Sequence, residues 1–155
     1  MLYLIRHGAA RPVGDDDERA LTSQGIAEVR ELALRLKRDK VLPGMIWHSH
    51  KRRAIETASL LAEGLGCAQA CRLMQGLGPD ASPGAVLERI EAFFIEAPSA
   101  SLVIVSHLPF LPMLANELMP GCCSSGMTLP TAGCWALERA GENWHIDFTF
   151  SPGGA

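Results

Sequence analysis

Four consecutive apolar residues, Leu2-Tyr3-Leu4-Ile5, end directly on Arg6-His7-Gly8. A run of that length is too short for a helix, and with no polar face it reads as a strand buried on both sides. Strands of this kind belong to parallel-rich sheets covered by helices, which bind their ligands at the carboxyl ends of the strands. His7 stands at such an end, between an arginine and a glycine suited to a tight turn. A second run, Leu102-Val103-Ile104-Val105, ends the same way on Ser106-His107-Leu108-Pro109. Two histidines can therefore converge on one crevice.

Between these strands the apolar period changes from two to 3.6. Ile26, Val29, Ala33 and Leu36 make one stripe of a helix from about Thr22 to Lys40, with Thr22 as its N-cap. Met45-Ile46-Trp47 follows as a short buried strand, and Ala54, Ala58, Leu61 and Leu65 mark a second helix stopped by Gly64 and Gly66. Residues 70–74 are a candidate third strand, and 75–83, with two glycines and two prolines, a loop. A third helix is expected to be capped by Ser82, with Pro83 in its first turn and Val86, Ile90, Phe93 and Ala97 buried. Leu111, Leu114 and Leu118 suggest a short fourth helix, whose start Pro112 obscures. The C-terminal part reads as a hairpin of residues 133–137 and 144–150. In its second strand Trp144, Ile146, Phe148 and Phe150 are expected on one face, His145, Asp147 and Thr149 on the other. Alternating strands and helices give an α/β fold, a three-layer α/β/α sandwich whose mostly parallel sheet has an antiparallel edge.

The 155 residues suit one domain, residues 1–155, able to bury roughly two-thirds of its unfolded surface. A net charge of -3 gives no global basic field, so neither nucleic acid nor an anionic membrane is an expected partner. No stretch approaches the roughly 18 apolar residues that span a bilayer, and no signal-like segment precedes the first strand. A cytoplasmic, monomeric protein is expected. Five irregularly spaced cysteines (Cys67, Cys71, Cys122, Cys123 and Cys134) then read as reduced, buried thiols. Trp47, Trp135 and Trp144 read as core. The acidic run Asp15-Asp16-Asp17-Glu18 reads as a solvated loop.

Any anion must then be recognised locally. Guanidinium forks such as those of Arg6, Arg53 and Arg19 match phosphate oxygens in a bidentate way. A neutral histidine can attack phosphorus if its other ring nitrogen is held by a hydrogen bond. A second histidine, if protonated, can stabilise the charge that builds on the phosphoryl oxygens. Such a set transfers a phosphoryl group without a metal or any other cofactor. His48 and His50 flank Ser49 and invite a metal reading, but the two are not expected to share one site.

Four ordered segments carry a resemblance over nearly the whole chain. They are Arg6-His7-Gly8, Arg19-Ala20-Leu21-Thr22 with Gly25, the stretch from Ser49 to Thr57, and Ser106-His107-Leu108-Pro109. Together they resemble the histidine phosphatase superfamily, with its phosphoglycerate mutase-like fold, and within it the short SixA-type phosphohistidine phosphatases. The resemblance implies that His7 is the nucleophile, that Arg6 and Arg53 clamp the phosphoryl group and that His107 hydrogen-bonds it. Arg19, Gly8 and Ser49 are the further candidate substrate contacts, although the residues themselves favour Ser49 as a cap of the second helix, and Arg19 can equally pair with the acidic loop. The substrate implied is phosphohistidine on a protein, such as a phosphotransfer domain or a phosphocarrier in signal transduction. Hydrolysis of small phosphate esters and non-catalytic phosphoprotein binding are the alternatives.

Two departures stand out. The family pattern has Ser-Pro where this chain has Ser49-His50, which leaves open whether Arg52 or Arg53 faces the site; the spacing Arg53-Ala54-x-x-Thr57 selects Arg53. Residues 75–84 offer only Asp80 as a general acid, a function worth about 10²–10⁴-fold in rate. Weak acid catalysis favours a labile P–N bond over an alkoxide leaving group.

Overall fold

The first strand is apolar on both faces because helices cover both faces of its sheet. The computed structural model of the protein describes residues 1–122 and 127–153, so Cys123 lies outside the described residues. Strands β1 (Leu2–Arg6), β2 (Pro43–His48), β3 (Cys71–Leu73), β4 (Ser101–Ser106), β5 (Cys134–Ala140) and β6 (Asn143–Phe150) form one sheet in the order β3-β2-β4-β1-β5-β6. The pairs among β3, β2, β4 and β1 are parallel; β5 and β6 continue the sheet antiparallel.

Tyr3 and Ile5 of β1 pack in one cluster with Val29, Leu32 and Leu36 of helix α1 (Ser23–Arg38) and with Ala54, Ala58 and Leu61 of α2 (Arg52–Leu65). Leu2 and Leu4 pack in the other with Val86, Ile90 and Phe94 of α3 (Gly84–Glu96) and with Phe110, Leu111 and Leu114 of α4 (Phe110–Leu118). Each fully buried Leu or Ile contributes about 1.5–3 kcal/mol against leaving it exposed. The expected α/β/α layering follows from that two-sided burial. Among the described residues no helix is long and apolar enough to cross a membrane.

Several local expectations are corrected. The pairing of β5 with β6 slips between Ala136 and Leu137, which face Phe148 and Ile146 respectively, so Asp147 is an extra residue. A one-residue slip moves every later side chain to the opposite face. Trp144 therefore packs with the α3–α4 cluster, whereas Phe148 and Phe150 pack against the α1–α2 cluster. Ser82 does not cap α3: Pro83 holds the N-cap position and no side chain caps it. Phe94 takes the buried place expected of Phe93. Gly64 does not end α2 but lies inside it against Ala33; the helix stops at Gly66. Pro112 sits in the first turn of α4, where an absent N–H leaves no intrahelical bond unmade. Cys67 and Cys134 are buried as expected, but Cys71 and Cys122 are only half-buried.

The chain beyond β1 is locked onto α1 by close backbone approach. Thr22 caps α1 by accepting the Gly25 N–H at 2.9 Å, and the Thr22 N–H donates to Ala9 O at 2.9 Å. A Cβ on Gly25 would lie 2.2 Å from Ala9 O, and one on Gly8 2.8 Å from Val29 Cγ2. Backbone cannot yield there as a flexible side chain can. Gly25→Ala should therefore lower stability by about 3 kcal/mol or prevent folding, read as a drop in the denaturation midpoint.

Candidate active site

Strand β1 pairs with β4 in a parallel register that sets Arg6 opposite Ser106. The residues next along each strand are His7 and His107, and the register bond extends to them: the His7 N–H donates to Ser106 O at 3.1 Å. Their ring centroids lie 5.1 Å apart. Helix α2 starts beside them and turns Arg53 inward, its side chain 6% exposed, while Arg52 turns outward to Glu56 at 3.0 Å. Arg6, His7, Arg19, Arg53 and His107 line one pocket of about 400 Å³, together with Ala9, Ala10, Leu108 and Thr131.

Gly8 and Ser49 do not line that pocket; each holds a histidine that does. His7 Nδ1 donates to Gly8 O at 2.7 Å, which leaves the lone pair on Nε2. The Gly8 N–H donates to Thr57 Oγ1 at 2.9 Å, and the Thr57 hydroxyl donates to Arg53 O at 2.7 Å. That chain ties the nucleophile turn to α2. Ser49 Oγ bonds His107 Nε2 at 2.6 Å, and both residues are fully buried. Ser49 does not occupy the N-cap of α2, a place taken by Lys51.

Three buried nitrogens of this group have no partner among the described residues: Arg6 Nε, Arg53 Nε and His107 Nδ1. Each arginine is fixed by another arm, Arg6 Nη1 donating to Leu129 O at 3.2 Å and Arg53 Nη1 to Asp16 O at 2.7 Å. Unpaired buried donors cost about 1–3 kcal/mol each. An oxyanion among them would recover that cost.

Burial, reinforced by the guanidiniums of Arg53, Arg6 and Arg19, lowers the His7 pKa to about 4. Burial also lowers that of His107 to about 3, helped by His7, Arg53 and Lys51. With pKa values so lowered both rings are neutral at pH 7, chiefly through burial and further because the same positive charge that would hold an anion repels a ring proton.

Other expected participants lie elsewhere. Asp80 is exposed and does not line the pocket. His48 is buried, with Nδ1 donating to Ser49 O at 3.0 Å, while His50 is exposed, 3.6 Å from Asp17. They diverge because β2 ends at His48, so the strand period does not carry on to His50. The acidic run is exposed but tied down. Its 3₁₀ turn, Asp16–Glu18, is capped by Asp15, and Lys51 Nζ reaches Asp16 at 2.5 Å and Asp17 at 2.6 Å. Arg19 does both things open to it, lining the pocket and pairing with Asp16 at 3.0 Å. Lys51 escaped the sequence reading because Lys51-Arg52-Arg53 looks like an ordinary basic surface run; only the acidic turn packed across it marks it out.

A cationic, largely pre-paired pocket at the carboxyl edge of a sheet covered on both faces defines an α/β protein built to hold an oxyanion. Known proteins agree. The family model of the histidine phosphatase superfamily (branch 1) matches residues 2–78. Phosphohistidine phosphatase SixA of Escherichia coli (strain K12) is 30% identical over 149 residues, covering 94% of this chain and 92% of that protein. An uncharacterised protein of Picosynechococcus is 35% identical over 141 residues, 88% of this chain and 84% of its own. The structure of the protein histidine phosphatase SixA complexed with tungstate superposes with a TM-score of 0.89 at 27% identity, over 97% of this chain and 96% of that one. The chain belongs to the histidine phosphatase superfamily and is a phosphatase of SixA-like type.

The lowered histidine pKa values have a signed consequence. Between pH 6.5 and about 4 the unfolded chain takes up protons that buried His7 and His107 refuse, so stability falls as pH falls through that window. Imidazole NMR should show both rings neutral from pH 8 down to about 5. The denaturation free energy should drop between pH 7 and 5 by about 1.4 kcal/mol per group and unit below pH 6.5.

Proposed function

We propose that this phosphatase removes phosphate from phosphohistidine carried by a protein, through a phospho-His7 intermediate and without a metal. The observation that carries the reading is His7, with the lone pair left on Nε2, in one pocket lined by Arg6, Arg19, Arg53 and His107. Nε2 of His7 attacks the phosphorus, and the P–N bond to the substrate imidazole breaks. The imidazole leaves carrying the electron pair of that bond, which a proton from solvent takes up. Water then attacks the phosphorus of phospho-His7, releasing inorganic phosphate and restoring the neutral ring.

The guanidiniums of Arg6, Arg53 and Arg19 bear the phosphoryl charge in both steps, a task for fixed donors in a low-dielectric pocket. His107 adds a neutral donor: the Ser49 hydroxyl donates to Nε2, which leaves the His107 proton on the unpaired Nδ1. Gly8 contributes through its carbonyl, by fixing the His7 tautomer.

The leaving group supports the P–N substrate. No carboxylic acid is among the described lining residues, and Asp16, the carboxylate beside Arg19 and Arg53, is held ionised by Lys51 and Arg19. An alkoxide would therefore leave without a proton donor, whereas imidazole leaves readily once protonated. The likeness to phosphohistidine phosphatase SixA supports the same class, and tungstate in the related structure is a tetrahedral oxyanion like phosphate. With this reading go a cytoplasmic location, a monomeric state and a place in phosphorelay signalling.

Phosphate release from a phosphohistidine protein, a sugar phosphate and an aryl phosphate, each with chelator present, tests the proposal. The phosphohistidine protein should turn over fastest and be indifferent to chelator. His7→Ala should lose at least about 10³-fold, and Arg53→Ala about 10²–10³-fold. A sugar phosphate hydrolysed faster than the phosphohistidine protein, or activity abolished by chelator, would refute the corresponding part.

A further inference from the structure

Lys51 is an unlikely residue for its position. It is 8% exposed, at the N-terminus of α2, where the helix dipole already disfavours a cation. Arg53 follows two residues later, and Arg19 shares one of its acidic partners. Burial alone would pull the Lys51 pKa down, but hydrogen bonds to Asp16 and Asp17 more than offset this and raise it.

The Asp16 carboxylate explains the arrangement. Its Oδ2 meets Lys51 Nζ at 2.5 Å, while Oδ1 lies 3.0 Å from Arg19 Nη2 and 3.4 Å from Arg53 Nη1. Asp16 is thus a resident anion beside the guanidiniums that line the pocket. Its main-chain carbonyl, by contrast, is the acceptor that orients Arg53. Asp17 adds a second link from the same turn to Lys51 at 2.6 Å.

Resting on the function proposed above, we infer that Lys51 is a positioning residue, which holds the acidic turn in place and shares the Asp16 carboxylate, so that Arg19 and Arg53 do not carry it alone and can turn to a phosphoryl group. Its two bonds hold the turn where Asp16 O fixes Arg53. Its charge also competes for the Asp16 carboxylate. Without Lys51 that carboxylate has only arginines to pair with and becomes a competitor of the substrate. The effect falls on phosphate binding more than on the chemical step, because Lys51 does not line the pocket.

Two measurements on wild type, Lys51→Met, Lys51→Arg and Asp17→Asn test this. The first is calorimetric binding of inorganic phosphate, with KM and kcat on an aryl phosphate. Lys51→Met should weaken phosphate and raise KM about tenfold with a smaller change in kcat, Asp17→Asn about threefold, and Lys51→Arg should recover most of the loss. The second is amide hydrogen exchange at Asp17 and Glu18, which should accelerate in Lys51→Met and return towards wild type in Lys51→Arg. Unchanged phosphate affinity in Lys51→Met, or an equal loss in Lys51→Arg, overturns the inference. If wild type neither binds phosphate nor hydrolyses the probe, the functional reading falls instead. The exchange arm then still decides the clasp, unchanged rates in Lys51→Met overturning it.

Discussion

The structure turns on the parallel pairing of β1 with β4. Arg6 and Ser106 are register partners, so the next residue of each strand brings a histidine to the same edge of the sheet. Each strand is then free to leave the sheet by a turn, and the turns carry the chemistry. Everything else in the pocket is referred to this edge. Helix α2 delivers Arg53, the segment after β1 delivers Arg19, and the segment before β5 delivers the Leu129 carbonyl and Thr131. The glycine contact between Gly8, Gly25 and α1 belongs to the same constraint, because it fixes where the chain goes after His7.

Concentrating positive charge at a buried edge has an electrostatic cost, and the protein meets it in two ways. Both histidines give up their protons, so the rings add no charge to that of the arginines. The remaining excess is balanced from one side, by the acidic turn through Asp16 and Lys51. The outcome is a pocket that is cationic towards a ligand yet internally ordered, with Arg6 and Arg53 each anchored through Nη1 and carrying an Nε that has no partner among the described residues, and Arg19 held by two arms. Donors fixed before the ligand arrives need little rearrangement as charge develops. A deprotonated histidine is also the form that can attack phosphorus. On the proposed function, one cause, burial among arginines, would serve both anion binding and nucleophilic attack.

Much of this was legible from local pattern. Leu2–Ile5 and Leu102–Val105 announce buried strands because no polar residue interrupts them, and Thr22 announces a cap because a hydroxyl there can reach Gly25 N. The spacing of Arg53 from Thr57 was legible too, since one helical turn separates them and Thr57 bonds back to Arg53 O. Other features were not. The face switch in β6 depends on how that strand pairs with β5, and its own alternation of Trp144, Ile146, Phe148 and Phe150 conceals the slip. Ser82 resembles a cap, but the chain around Pro83 enters α3 without using it.

By itself the sequence determined which residues are candidates for the chemistry and which segments would be strands or helices, because those depend on side-chain type and on periods a few residues long. Tertiary structure decided protonation, pairing and orientation. The His107 pKa is lowered first by burial and then by His7, Arg53 and Lys51, all remote from it in the chain. Ser49 holds a histidine 58 residues away besides accepting the Lys51 N–H at the start of α2, and Lys51 leaves an apparently solvated basic run to clasp an acidic turn that looked equally solvated. Electrostatic environments and hydrogen-bond partners are sums over neighbours in space, and those neighbours exist only once the sheet has set its register.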